Sequence, residues 1–211
     1  MDIQLGYQFR ERLTMASDGT HQVIQAKDID HLNDHRLLPS SLYRVTPRRD
    51  AEKYEVRNGD VLFLSKGRRN SATLVDGLLT ELPRMRPDGR RGMDRVATIP
   101  AGYFFILRRR TDCIRHDYLA WSINAPPAQA YLQSVASGSA MPFVPKQAFV
   151  GLEIVVPSLD RQQIIVELHR LALREQNLYG RLAELKASLI AEVCVTAARN
   201  EARTTGRTHV E

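Results

Sequence analysis

The sequence predicts an α+β protein: a globular domain with a mixed, twisted β-sheet and short helices, followed by one long, coiled-coil-forming C-terminal helix. Three observations predict it. Short apolar runs bounded by turn residues recur through residues 1–157, as strands do. Two short helical patterns interrupt them within residues 116–134. From Leu159 to Ala198, apolar residues return in alternating steps of four and three. The chain therefore divides into a globular domain over 1–157, a long helix over 158–198 and a flexible tail over 199–211.

The opening, residues 1–30, is short and β-rich. Gly6, Arg10 and Arg12 precede the loop Ser17-Asp18-Gly19-Thr20, and His21 to Ile29 alternates as a strand does. His31 and His35 stand at a spacing that chelates a metal on a helix. They lack the acidic and histidine context of a zinc enzyme, and Pro39 follows, so they read as surface histidines. Leu42 to Val45 is a strand, and Arg48 and Arg49 follow in a polar loop.

The clearest local signal runs from Tyr54 to Gly67. Asn58-Gly59-Asp60 is a tight turn, because Asn and Gly accept positive φ. Val61 to Leu64 is a buried strand by its apolar run, and it delivers Ser65-Lys66-Gly67-Arg68-Arg69-Asn70-Ser71 to a loop. Basic and polar side chains set by a rigid strand suit phosphates and bases; the plainer reading is a solvated turn. Ala72 to Val75 is the returning strand. Arg84 to Arg95 holds five arginines, two acids and two glycines, and reads as a flexible basic loop. By charge and loop position the candidate DNA contacts are Lys66, Arg68, Arg69, Asn70, Arg84, Arg86, Arg90 and Arg91.

Val96 to Ile99 and Gly102 to Arg108 are core strands, and Arg108-Arg109-Arg110 ends the sheet. His116 to Ile123 begins a helix that Asn124-Ala125-Pro126-Pro127 stops, and Ala128 to Ser134 is a second. Ser137 to Pro142 is a polar turn. Leu152 to Val156 is a last strand before the long helix.

Pro157 ends that strand, and Ser158 or Asp160 can cap the helix. The seam is Ile164, Leu168, Leu171, Leu178, Leu182, Leu185 and Leu189, with Glu175 interrupting it once. It spans about three and a half heptads, a coiled-coil face on a rod of about 60 Å. The alternative is a long amphipathic helix folded back on its own core. Gly180 costs about 1 kcal/mol against Ala and allows a close helix crossing.

The charge is uneven. Arginine supplies 25 of the 30 basic residues, and the net charge is +6. Between Arg44 and Arg115 there are 17 basic and 9 acidic residues; from Leu159 onward there are 8 and 7. A basic domain beside a near-neutral rod points to nucleic acid on the first and protein on the second. The two cysteines, Cys113 and Cys194, form neither a metal spacing nor a disulfide framework, which suits a reducing cytoplasm. Met1-Asp2-Ile3-Gln4 is no signal peptide, and no apolar run spans a membrane.

No catalytic set, cofactor loop or metal cluster stands out. A phosphate-binding Gly-Lys-Ser/Thr loop is absent. Asn124-Ala125-Pro126-Pro127 is superficially like the Asn-Pro-Pro-aromatic motif of amino-methyltransferases, but lacks its first proline and its aromatic. Asp112, His116 and Asp117 cluster without a nucleophile. Pro87-Asp88 with Glu184-Leu185-Lys186 matches a nuclease pattern only as text, because the second part lies inside the heptads.

The order of parts carries a resemblance. Gly59-Asp60-Val61-Leu62-Phe63 leads to Lys66-Gly67, a helix carries Tyr118-Leu119, and Ser137-Gly138-Ser139 leads to Phe143-Val144-Pro145. Val155-Val156-Pro157-Ser158-Leu159 then precedes Gln162-Gln163-Ile164-Ile165 at the head of the long helix. Over residues 1–198 this resembles the specificity (S) subunit of type I restriction–modification systems, most specifically from Leu152 to Ile165. The resemblance implies that residues 1–157 are a target recognition domain reading a DNA half-site. It implies that the long helix sets a spacing and docks methyltransferase subunits. Full-length members carry two such domains and two antiparallel helices, whereas this chain has one of each, a half-size form. The implied function is sequence-specific double-stranded DNA recognition, non-catalytic in itself, in a restriction–modification or phage-defence complex. S-adenosylmethionine is then expected on the partner methyltransferase, and this chain is expected to carry no cofactor and to pair as a homodimer through its helix. The alternatives are a stand-alone DNA-binding regulator or defence component, and a small nuclease.

Overall fold

The four consecutive apolar residues Val61–Leu64 are all buried in the computed structural model of the chain, because elements cover both faces of their strand. The structure describes residues 1–204 apart from 11–12, 17, 48–49, 68, 79–80, 86–90 and 139, with the backbone alone for 82–85, 91–94 and 200–204. In chain order the strands are β1 (Asp2–Leu5), β2 (His21–Ile24), β3 (Ile29–Asp30), β4 (Arg36–Leu37), β5 (Tyr43–Val45), β6 (Val61–Leu64), β7 (Ala72–Leu74), β8 (Glu81–Met85), β9 (Arg91–Arg95), β10 (Ala97–Pro100) and β11 (Phe104–Arg108). The helices are α1 (His116–Asn124), α2 (Pro126–Val135), α3 (Lys146–Val150) and α4 (Leu159–Thr204). The fold is α+β. The chain divides into two units, Met1–Val166 and Glu167–Glu211.

In the first unit the main sheet is antiparallel, in the order β1-β11-β6-β7. A second sheet, β10-β2-β5, pairs β10 with β2 in parallel and β2 with β5 antiparallel. Side chains of a strand alternate between faces, and here the alternation divides two cores. Leu62, Leu64, Phe104 and Ile106 join Ile24, Leu37, Val56 and Val75 on one side. Val61, Phe63, Phe105 and Leu107 join Leu119, Ile123, Leu132, Val144 and Phe149 on the side covered by α1 to α3. A third, smaller cluster joins Val23, Val45, Ala51 and Ile99.

The turn into β6 is fixed by backbone and charge. Gly59 has φ +100, a conformation that favours glycine, while a Cβ there would meet the His116 ring only in ordinary van der Waals contact at 3.4 Å. The buried Asp60 carboxylate accepts from the Arg57 N–H at 3.1 Å and from Arg108 Nε and Nη2 at 3.1–3.2 Å.

Five expectations are corrected. Residues 84–95 are not simply a loop: β8 and β9 pair as a two-stranded hairpin, with Glu81 opposite Arg95 and Met85 opposite Arg91. Pro83 is tolerated because a two-stranded ribbon consists of edges alone. Leu152–Val156 form no strand. Leu152 and Ile154 pack on the helical side of the core, and the Val155 carbonyl accepts the Tyr118 hydroxyl at 2.9 Å, so the segment alternates like a strand without a ladder partner. Pro126 and Pro127 do not only stop α1; they start α2, where a first-turn proline loses no helical hydrogen bond. Strand β2 ends at Ile24, followed by a 3-10 turn over Ala26–Asp28. Helix α4 continues beyond the expected end, through 199–204, and residues 205–211 lie outside the described residues.

Helix α4 starts on a buried amide. Gln162 is wholly buried; its Oε1 accepts the Arg115 N–H at 2.8 Å, and its Nε2 donates to the carbonyls of Cys113 and Pro157, each at 2.7 Å. Removing that amide would take the side-chain partner from one backbone N–H and two carbonyls, at about 1 kcal/mol per hydrogen bond. Val166 is buried too, whereas Ile164 is exposed.

Candidate nucleic-acid interface and partner helix

The loop from Ser65 to Ser71 is fixed at both ends. Leu64 N–H donates to the Ser71 carbonyl at 2.8 Å, and Ser65 donates through N–H and Oγ to the Tyr103 carbonyl at 2.9 and 2.6 Å. Val144 N–H donates to Ser65 O and Gly67 N–H to Pro142 O, which ties the loop to the segment around Phe143. Lys66 and Arg69 have exposed side chains on this fixed frame. Asn70 is committed differently: its Nδ2 donates to the Leu64 carbonyl at 3.0 Å, which shapes the loop. Of the other candidates, Arg84 and Arg91 lie in β8 and β9, and Arg68, Arg86 and Arg90 lie outside the described residues. The structure thus brings Lys66, Arg69 and Asn70 together on one loop, and puts Arg84 and Arg91 on a separate hairpin.

Part of the basic excess is used internally. Arg108 holds Asp60, Arg109 pairs with Asp112 at 3.2 Å, Arg110 with Asp2, and Arg115 with Asp117 at 3.0 Å. The Arg108-Arg109-Arg110 run therefore closes the fold, and its charge is largely balanced on the spot. Asp60, Asp112 and Asp2 serve as its partners, and Asp117 as that of Arg115.

Asn124 also has a structural task. Its Oδ1 accepts the Ala72 N–H at 2.8 Å and its Nδ2 donates to the Ala72 carbonyl at 2.7 Å. This satisfies the outer edge of β7, which no further strand covers among the described residues.

His31 and His35 lie in a turn instead of a helix. Their Nδ1 atoms are 3.1 Å apart, so one donates and the other accepts. Burial holds the His31 pKa below its ordinary value, the nearby Arg69 guanidinium adds to this, and Asp30 opposes it. Among the described residues no group of three or more His, Cys, Asp or Glu side chains could hold a metal.

Beside Lys66 the surface opens into a cleft of about 560 Å³, lined by Gln8, Phe9, Leu13, Ser65, Lys66, Ala101, Gly102, Tyr103 and Phe143. Sequence reasoning missed it, because its walls come from four distant segments. Its one local signal was Phe143, an aromatic directly after a polar turn.

On α4 every seam residue is exposed: Ile164, Leu168, Leu171, Leu178, Leu182, Leu185 and Leu189, from 46% at Leu182 to 67% at Leu168. Ile190, Val193 and Val195 extend the exposed apolar surface. Among the described residues no helix is long and apolar enough to cross a membrane. Compared with known proteins, the chain matches no family model and no curated sequence.

Proposed function

We propose that this chain is a non-catalytic DNA-recognition subunit, a half-size counterpart of type I specificity subunits. It works as a homodimer and presents a DNA site to an S-adenosylmethionine-dependent methyltransferase in the cytoplasm. The observation that carries the reading is the seam on α4, every residue of which is exposed. An exposed apolar stripe of this length, broken once at Glu175, is uncommon on a monomer and calls for a second helix. The exposed Lys66 and Arg69 on a fixed loop supply the electrostatic footprint on DNA.

The seam favours an antiparallel pair. About a midpoint between Gln176 and Asn177, Ile164 falls opposite Leu189, Leu168 opposite Leu185, and Leu171 opposite Leu182. Glu175 then meets Leu178, whereas a parallel, in-register pair would set Glu175 against Glu175.

Binding to duplex DNA over a salt series tests the reading. Log affinity is expected to fall with log salt, by nearly one unit of slope per phosphate neutralised. Replacing Arg69, Arg90 and Arg91 with Ala is expected to weaken binding and flatten the slope. Wild-type affinity and slope in that variant would remove these arginines from the interface, and absence of duplex binding by the wild type would defeat the reading.

A further inference from the structure

We propose that the cleft beside Lys66 seats one unstacked nucleobase of a nucleic-acid strand, sandwiched against Phe143, with Lys66 meeting an adjoining phosphate. The proposal rests on the DNA-recognition reading and adds a single-strand subsite to it.

The cleft has the size and composition of a small-ligand site: about 560 Å³, with apolar walls and few polar groups. Phe143 is 44% exposed, an unusual position for a phenyl ring whose backbone is so firmly held. Ser137 and Phe143 exchange two backbone hydrogen bonds of 2.9 Å, and the flanking Pro142 and Val144 are bonded to Gly67 and Ser65. A ring on a fixed backbone loses little conformational freedom when a base stacks on it. Tyr103, on another wall, is also fixed, since its hydroxyl accepts the Ala26 N–H at 3.2 Å.

Polarity selects the occupant. Among the described residues no carboxylate lines the cleft, and Lys66 supplies a cation at its rim. That combination suits an anionic chain with aromatic side groups. Gln8 is the amide of the lining, a type of group that reads base edges. Its Nε2 donates to the Gly102 carbonyl at 3.0 Å, and a Cβ at Gly102 would come within 2.3 Å of that amide. Glycine at 102 thus lets Gln8 close along the cleft.

The test compares a fluorescently labelled short oligothymidylate with a mixed-sequence duplex, using wild type, Phe143→Ala and Phe143→Trp. Loss of the ring is expected to weaken oligothymidylate binding about tenfold, as loss of one base–aromatic stack does. Duplex binding is expected to stay within about twofold, since phosphate contacts dominate it. It also reports that the variant is folded. Trp is expected to restore single-strand binding. Equal binding of oligothymidylate by wild type and Phe143→Ala, or no binding by the wild type, would overturn the proposal. So would an equal loss on both probes. Single-strand binding that depends on Phe143, without any duplex binding, would support the subsite and defeat the recognition-subunit reading.

Discussion

Gln162 and Asn124 show how much an uncharged side chain can organise. Each amide satisfies backbone groups that no regular ladder reaches, at the start of α4 and at the edge of β7. Histidine acts in the opposite direction. Burial pushes the His21 pKa below its ordinary 6.5, with Glu52 and Glu55 opposing, and its buried Nε2 has no hydrogen-bond partner among the described residues. A depressed histidine pKa favours the folded, neutral state, so its stability is complete above pH 6.5 and is lost as pH falls through the unfolded value towards the folded one. His31 adds to this in the same direction. The thermal midpoint is therefore expected to fall between pH 7.5 and pH 5.5, and His21→Gln to fall less. An equal fall in variant and wild type would assign the effect elsewhere. None of these residue-scale roles was legible in the sequence. Arg108, Arg109 and Arg110 read there as the end of the sheet and counted toward the basic excess, because their partners Asp60, Asp112 and Asp2 are set by the fold.

At the scale of elements, legibility follows the range of the cause. The turn at Asn58-Gly59, strands β6 and β7, and helix α4 were readable, since turn chemistry and periodicity are local. The hairpin β8–β9 was read as a loop because its arginines and glycines hide a pairing that only the register defines. Leu152–Val156 was read as a strand because alternation signals a half-buried segment, not a hydrogen-bonded one. For α4 the prediction concerns the seam. Leu182→Asp sets a carboxylate opposite Leu171 of the second copy, twice per dimer. Its expected cost is about 3 kcal/mol or more, roughly a hundredfold loss in dimer affinity. Light scattering is expected to give a dimer for the wild type and a monomer for the variant at micromolar concentration. With Cys113 changed to Ser, oxidation is expected to leave the wild-type seam uncrosslinked, because an antiparallel pair separates the two Cys194 residues. Efficient Cys194–Cys194 linkage would point to a parallel pair.

For the molecule as a whole, the proposed recognition reading and the exposed seam on α4 would have the function completed by a second copy. Closed two-fold symmetry would then make the recognised site two inverted half-sites, with a spacer fixed by the paired helices. The cleft bears on this scale as well, since Phe9, Lys66, Tyr103 and Phe143 meet only when the fold is complete. The most direct measurement is selection of bound sequences from a random duplex DNA pool by the purified chain. The account predicts enrichment of an interrupted palindrome with a constant spacer, lost in Leu182→Asp. Enrichment of a single asymmetric site, unchanged in that variant, or no enrichment at all, would contradict it.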